Sequence, residues 1–198
     1  MAGLKRSHMC CDVNESHIGG EVTVMGWVQK RRDLGQLIFI ALRDRTGIVQ
    51  AVVDQTAESG LFAKAESIRS EYVVAVKGIV AARTEENINP SMKTGKIEII
   101  AKELRILSES ETPPFPIEEN SQTKDDLRLK YRYIDLRRPD IFRNIQLRHN
   151  VVQIVREFLN SEKFLEIETP ILTKSTPEVA RYYLVPSLVH PGNFYALP

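Results

Sequence analysis

Positive charge is concentrated in one short stretch of the chain. The cationic run Lys30–Arg32 comes directly before a strand-like segment that contains Phe39 between Ile38 and Ile40. Successive side chains of a strand point to opposite faces, so Ile38 and Ile40 turned inward would leave Phe39 on the outside. Cationic side chains that contact phosphates, together with an aromatic ring on which a base stacks, are typical of sites that bind single-stranded nucleic acid.

Two polar residues interrupt apolar, strand-like segments further along the chain. Gln50 lies within IVQAVV, and Glu98 lies within KIEII. An amide has both a donor and an acceptor, and a carboxylate accepts from an amino group, so both side chains have the chemistry to read the edge of a base. The residues also permit simpler interpretations: a solvated turn for the charged run, a core position for Phe39, and water-facing positions for Gln50 and Glu98.

The composition is that of an ordinary globular protein. The 198 residues carry a formal net charge of +1, with 42% hydrophobic and 27% charged residues. No secretory signal follows the N-terminal MAGLKRSHMCC, and no run approaches the roughly 20 apolar residues of a membrane span, so a cytoplasmic location without membrane contact is expected. Cys10 and Cys11 are adjacent, unlike a disulfide framework, and with His17 they match no usual zinc spacing. The sequence therefore predicts reduced thiols and no metal site.

The elements that must position these side chains begin with five strands. Segments rich in Val and Ile, separated by glycine or polar turn residues, predict strands at Glu21–Val28, Leu37–Arg43, Gly47–Val53, Tyr72–Ala82 and Lys96–Ala101. Between the third and fourth strands, Ser59–Ser70 has apolar residues at helical spacing, with Ser59 as a candidate N-cap. Five strands with a helix in this place are the element order of an all-β OB-fold barrel.

The second half of the chain follows a different pattern. Residues 108–126 are polar and acidic with three prolines, which predicts a hinge between a first domain at 1–107 and a second at 127–198. A helix is predicted from about Pro139 to about Asn160. Its apolar stripe consists of Ile141, Ile145, Val152, Val155 and Leu159. Phe164–Leu172 alternates like a strand that Pro170 ends or kinks. The strand-like GNFYALP would leave a sheet edge unpaired at the terminus, so the second domain is expected to be incomplete.

Several separate motifs, in order along nearly the whole chain, resemble the N-terminal part of bacterial-type aspartyl-tRNA synthetases, which are class II aminoacyl-tRNA synthetases. They are GWVQKRRDLGQLIFIALRDRTGIVQAVV, NINPSMKTGKIEI, LRLKYRYIDLRRP, FLEIETPILTKSTPE and VHPGNFYALP. The asparaginyl and lysyl enzymes share the layout, but RRDLG, YRYIDLRRP and TPE are similar to the aspartyl enzymes. The resemblance implies an OB-fold anticodon-binding domain, a hinge, and the first part of an α+β catalytic domain built on an antiparallel sheet and truncated at the end of the chain.

The resemblance also implies roles for residues of the first domain. Arg32, Phe39, Gln50 and Glu98 match positions that contact the tRNA anticodon. Phe39 would stack on a base, and Gln50 and Glu98 would read base edges. Two further matches to loop-contacting positions are Arg83 and Asn87.

In the second domain, the resemblance implies a dimer interface and a substrate contact. Pro170 matches a position near the two-fold axis of a homodimer. Glu178 matches a carboxylate of the aspartate-binding site, where it would hold the substrate ammonium group by a charge-assisted hydrogen bond. The chain departs from the family pattern at Val179 and Tyr182, where glycine and aspartate are usual, and at Leu188, where arginine is usual.

The implied activity is ligation of L-aspartate to tRNA for protein synthesis, with ATP and Mg²⁺ in the full-length enzyme. The family's later active-site residues and ATP-binding arginines do not occur in this chain. We therefore expect no catalytic residue within it, no bound ATP or Mg²⁺, and no ligase activity by this chain without them. Two functions follow: part of an aspartate–tRNA ligase, or a stand-alone OB-fold RNA-binding module. The presence of FLEIETPILTKSTPE favours the first.

Overall fold

The structure is a computed structural model that describes residues 4–56, 60–174 and 183–197. Glu178, the predicted aspartate-binding residue, lies outside these ranges, as do Val179 and Tyr182. The chain divides into two compact units, which are described separately. One unit comprises residues 1–116 and 121–134, and the other comprises residues 117–120 and 135–198.

The first unit is built around a closed five-stranded barrel. Its strands are β1 (Glu21–Asp33), β2 (Leu37–Asp44), β3 (Gly47–Asp54), β4 (Val73–Ala82) and β5 (Ile97–Ser108). They are arranged in the order β1-β2-β3-β5-β4, with β3 and β5 parallel and the other described pairs antiparallel. The predicted OB-fold barrel of five strands is confirmed. β1 and β5 both run beyond their predicted ends, to Asp33 and Ser108.

Alternation along the strands fills the barrel with aliphatic side chains. Val24, Ile38, Ile40 and Leu42 are completely buried, and helix α1 (Leu61–Ser67) adds Leu61 and Ala65 to the same core. The residue that caps α1 is Gly60, at φ +100°, and it forms no side-chain cap hydrogen bond. Ser59, the predicted cap, lies outside the described residues.

Buried polar contacts tie the connecting segments to the barrel. Arg43 at the end of β2 donates from Nη2 to both carboxylate oxygens of Glu71, at 2.9 and 2.8 Å. Asp44 accepts from the backbone N–H of Cys10 at 2.7 Å, and from the N–H and Oγ1–H of Thr46 at 2.7 and 2.6 Å. Cys10 and Cys11 carry free thiols, and burial raises the pKa of both. Asp44 therefore fixes the N-terminal segment to the β2–β3 turn.

Two short helices precede the long helix of the second unit. They are α2 (Asp125–Lys130) and α3 (Arg132–Asp135). The predicted hinge at 108–126 overlaps regular structure at both ends, because Ser108 is the last residue of β5 and Asp125 is the first residue of α2.

Helix α4 (Pro139–Ser161) closely matches its predicted bounds, and Pro139 occupies its first turn. Just before the helix, Arg138 donates to the Asp135 carboxylate at 3.1 Å, to the Glu118 carbonyl at 3.1 Å and to the Asp140 carboxylate at 2.6 Å. These bonds hold residues 117–120 to the start of α4. Most of the predicted apolar stripe is exposed: Ile145, Val152, Val155 and Leu159.

The predicted strand at Phe164–Leu172 was wrong. The alternating segment does not form a strand. Only Thr173, just beyond it, forms an isolated β-bridge, with Ala196. A strand requires a partner ladder, and the described strands of this unit, β6 (Tyr183–Pro186) and β7 (Phe194–Leu197), pair with each other. The strand expected in GNFYALP is confirmed as β7. No helix within the described ranges has the length and apolar character needed to cross a membrane.

Candidate nucleic-acid interface

A cavity of about 330 Å³ opens on the outer surface of the barrel. It brings together all six residues matched to anticodon contacts. The full lining is Arg32, Leu34, Leu37, Phe39, Gln50, Val52, Ala82, Arg83, Thr84, Asn87 and Glu98.

Strand register explains why residues so distant in sequence meet here. Arg32 on β1 pairs with Phe39 on β2, and Phe39 pairs in turn with Val52 on β3. β3 runs parallel to β5 with Ala51 opposite Ile99, which places Gln50 and Glu98 next to each other. Side chains alternate along a strand. The sequence neighbours of Phe39 and Glu98 are buried in the core, so Phe39 and Glu98 themselves lie on the outer face; these neighbours are Ile38, Ile40, Ile97 and Ile99.

Phe39 is half-buried, and its ring faces a cation. The Arg32 guanidinium carbon lies 5.7 Å from the centre of the Phe39 ring. Arg32 Nη2 also donates to Gln50 Oε1 at 3.3 Å. The predicted outward orientation of Phe39 is therefore present, and its face is in contact with Arg32.

Gln50 is the central member of a hydrogen-bonded row. It is only 8% exposed, so the water-facing interpretation of this residue was wrong. Its Nε2 donates to Glu98 Oε2 at 3.1 Å. The row Arg32–Gln50–Glu98 thus presents a guanidinium, an amide and a carboxylate side by side in one cavity.

Arg83 closes the row from the β4 side. Its side chain is only 4% exposed, and its Nε lies 3.6 Å from Glu98 Oε2 while donating to the Ile97 carbonyl at 3.0 Å. Burial lowers the pKa of Arg83, Glu98 opposes this, and the nearby Arg32 adds to the lowering. Its Nη2 is buried without a hydrogen-bond partner among the described residues. Arg83 therefore carries one unpaired donor that is enclosed by protein atoms next to the cavity.

Asn87 lies in a 3₁₀ turn, Glu85–Asn87, beyond the end of β4. Its Nδ2 donates to Thr84 Oγ1 at 2.8 Å, and the residue lines the cavity.

The three residues of the cationic run Lys30–Arg32 have different surroundings. Arg32 lines the cavity, whereas Arg31 donates from Nη1 to the Glu66 carbonyl at 2.7 Å and so attaches β1 to the end of α1. Lys30 is exposed and is not part of the lining. Sequence reasoning missed Leu34, whose signal was its place before a glycine in RRDLG.

The described residues do not fit a metal site. Within 4–56, 60–174 and 183–197, no group of three or more His, Cys, Asp or Glu side chains is placed to hold an ion. No step through Mg²⁺ is therefore assigned to these residues. Pro170, matched to the dimer axis, is exposed and distant in sequence from the barrel cavity.

Comparison with known proteins supports both parts of the chain. The model of the OB-fold nucleic-acid-binding domain matches residues 22–107, and that of class II tRNA synthetases (D, K and N) matches residues 124–198. The aspartate–tRNA ligase of Agathobacter rectalis is 61% identical over 199 residues, covering 100% of this chain and 33% of the relative. The aspartate–tRNA(Asp/Asn) ligase of Caldanaerobacter subterraneus subsp. tengcongensis is 59% identical over 198 residues, with the same coverage.

A solved structure shares the fold. The asparaginyl-tRNA synthetase of Pyrococcus horikoshii, complexed with asparaginyl-adenylate, aligns with a TM-score of 0.80 and 27% identity. The alignment covers 98% of this chain and 43% of that one.

Barrel, cavity and family matches together define an OB-fold nucleic-acid-binding domain joined to sequence of the class II tRNA synthetases. The chain belongs to the aspartate–tRNA ligase family. It spans about one third of the length of the curated relatives that it matches.

Proposed function

We propose that this chain provides the tRNA-binding barrel of an aspartate–tRNA ligase. In this proposal the cavity on β1–β5 holds unpaired bases of the anticodon loop. The whole protein activates L-aspartate with ATP and transfers the aspartyl group to tRNA in the cytoplasm. The observation that carries the proposal is the convergence of Arg32, Phe39, Gln50, Arg83 and Glu98 in one cavity.

The chemistry of the cavity supports this assignment. Stacking on Phe39 is independent of base identity, since every base has a flat face. Identity would be read by the polar row, because an amide or a carboxylate pairs with some base edges and not with others. Arg83 Nη2, which is buried and unpartnered, would pair with a carbonyl oxygen of a base or a phosphate oxygen once its side chain turns towards the cavity.

The test is binding of the chain to an RNA stem-loop with the aspartate anticodon, compared with the same stem-loop carrying a changed anticodon. Both affinities are measured at two salt concentrations by fluorescence anisotropy. We expect tighter binding of the first stem-loop at both concentrations, because base reading persists when phosphate contacts are screened. Equal, salt-sensitive binding of both would reduce the cavity to a general basic surface and overturn the proposal.

We also propose that the second unit contributes to a homodimer and to the aspartate site. The apolar residues exposed on α4 support the dimer, with Pro170 near its axis. Glu178 is proposed to hold the substrate ammonium group, on sequence resemblance. ATP and Mg²⁺ are proposed for the whole ligase.

A further inference from the structure

Leu34 lies at the tip of the β1–β2 hairpin and lines the cavity, yet its side chain is 71% exposed. We propose that Leu34 is a further RNA-contacting residue, an apolar wall against which one unpaired nucleotide packs. This inference rests on the proposed function, and it adds a positioning contact to the polar row.

The hairpin tip is built to hold this side chain in place. The Leu34 N–H donates to the Leu37 carbonyl at 3.0 Å, and the Gln36 N–H donates to the Leu34 carbonyl at 3.1 Å. The Gly35 N–H donates to the Asp33 carboxylate at 3.0 Å, with Gly35 at φ +83°. A left-handed glycine and three hydrogen bonds within so short a turn fix the backbone that carries Leu34 at the hairpin tip.

The cavity has two kinds of wall. The β1–β2 hairpin supplies three apolar residues, Leu34, Leu37 and Phe39, beside Arg32. The polar residues Gln50 and Glu98 come from β3 and β5, and Arg83 directly follows β4, with the small apolar residues Val52 and Ala82 between them. A nucleotide has the same division, with apolar ring faces and a polar base edge. An isolated exposed leucine is ordinary on protein surfaces. Leu34 differs because it extends the apolar surface of Leu37 and Phe39 in a cavity that also contains a row of polar side chains.

The experiment measures binding of the aspartate-anticodon stem-loop to the wild type and to Leu34→Ala. We expect Leu34→Ala to weaken binding by about five- to twentyfold, the effect of removing part of a buried leucine contact. The salt dependence should be unchanged because no charge is removed. Leu34→Met, which keeps an apolar side chain, should bind nearly as the wild type does. Ile18→Ala is the matched control, since Ile18 is also exposed but lies outside the lining.

The base that contacts Leu34 is then identified with a set of stem-loops, each of which lacks the base at one anticodon position. Binding of each stem-loop is measured for the wild type and for Leu34→Ala. We expect the loss caused by Leu34→Ala to disappear at one of these positions, since the base that packs on Leu34 is then missing. If Leu34→Ala binds like the wild type while Phe39→Ala binds more weakly, Leu34 makes no contact and the inference is overturned, although the proposed function stands. If neither variant weakens binding and the anticodon change has no effect, the proposed function is overturned, and the inference with it.

Discussion

At the scale of single residues, the site is a row of side chains that already contact one another. Arg32 covers Phe39 and donates to Gln50, Gln50 donates to Glu98, and Glu98 lies close to Arg83. Gln50 and Glu98 were predictable from the residues because each interrupts an apolar strand, and Arg32 and Phe39 because an aromatic residue follows a cationic run; Arg83 was matched only by resemblance. Their mutual hydrogen bonds were not predictable, since they depend on the parallel register of β3 and β5.

Phe39→Ala tests the stacking surface. We expect RNA binding to weaken by about 1–3 kcal/mol, the usual contribution of a base stacked on an aromatic ring. Anisotropy with the aspartate-anticodon stem-loop measures the effect, and circular dichroism checks that the barrel is intact. Phe39→Trp retains a flat ring and should bind nearly normally. Unchanged affinity of a folded Phe39→Ala variant would remove Phe39 from the site.

Glu98→Gln tests base reading. The substitution keeps the shape but replaces one acceptor oxygen with an NH2 group, which donates. The preference for the aspartate anticodon over a changed one should therefore fall by about 1–3 kcal/mol. Affinity for the changed stem-loop should not fall, because a negative charge beside the phosphates has been removed. Glu103→Gln on the same strand is the control, as Glu103 lies outside the cavity lining. Retained preference in Glu98→Gln would contradict the reading role.

At the scale of elements, alternation and turn residues were enough to predict all five barrel strands and the first turn of α4. Their ends were less well predicted: β5 continues to Ser108 because it pairs with β4 as far as Val73. The strand expected at Phe164–Leu172 has the right alternation but no partner ladder among the described residues. Pattern predicts the capacity of a segment to form a strand, whereas the strand itself requires a neighbour.

Asp44 gives the barrel a pH-dependent contact. Burial raises the pKa of its carboxyl, but hydrogen bonds from Thr46 and Cys10 outweigh this and hold the pKa below its ordinary value of 3.8. A carboxyl whose pKa is lowered on folding stabilises the protein above its unfolded pKa, and this stabilisation is lost as the pH falls through the folded pKa.

We therefore expect Asp44→Asn to lower the free energy of unfolding by roughly 1–2 kcal/mol at pH 7. The difference from the wild type should shrink only below pH 3.8. Urea titrations across this range measure it. Asp54→Asn is the control, because the Asp54 carboxylate makes the same contacts with Thr56 in a more exposed turn and accepts from no other segment among the described residues. A difference independent of pH would show that Asp44 acts by shape and not by charge.

At the scale of the whole molecule, the two units present different surfaces. The barrel buries its aliphatic residues around one core. In the second unit, α4 exposes Ile154, Val155 and Phe158 beside a groove of about 600 Å³ that it forms with the segment after it. Large exposed apolar surfaces commonly mark interfaces.

We expect the chain to associate through this surface. Light scattering at increasing concentration should show the mass rise from one chain towards two, and Phe158→Glu should keep it at one because a charge would be buried in the interface. Affinity for the stem-loop at low protein concentration should be the same for both, which separates association from RNA binding. A monomer at every concentration would contradict the proposed dimer contact.

The hydrogen bonds within the row Arg32–Gln50–Glu98 also affect the enthalpy of RNA binding. We expect a base that pairs with Gln50 to replace the bonds Arg32–Gln50 and Gln50–Glu98, so that the number of hydrogen bonds hardly changes when the correct base is bound. The correct base therefore gains affinity mainly from stacking. A wrong base breaks internal bonds without replacing them, at about 1–3 kcal/mol for each group left unpaired. Calorimetry should then show a less favourable binding enthalpy for stem-loops with a changed anticodon. The binding enthalpy of the aspartate-anticodon stem-loop should be only modestly favourable.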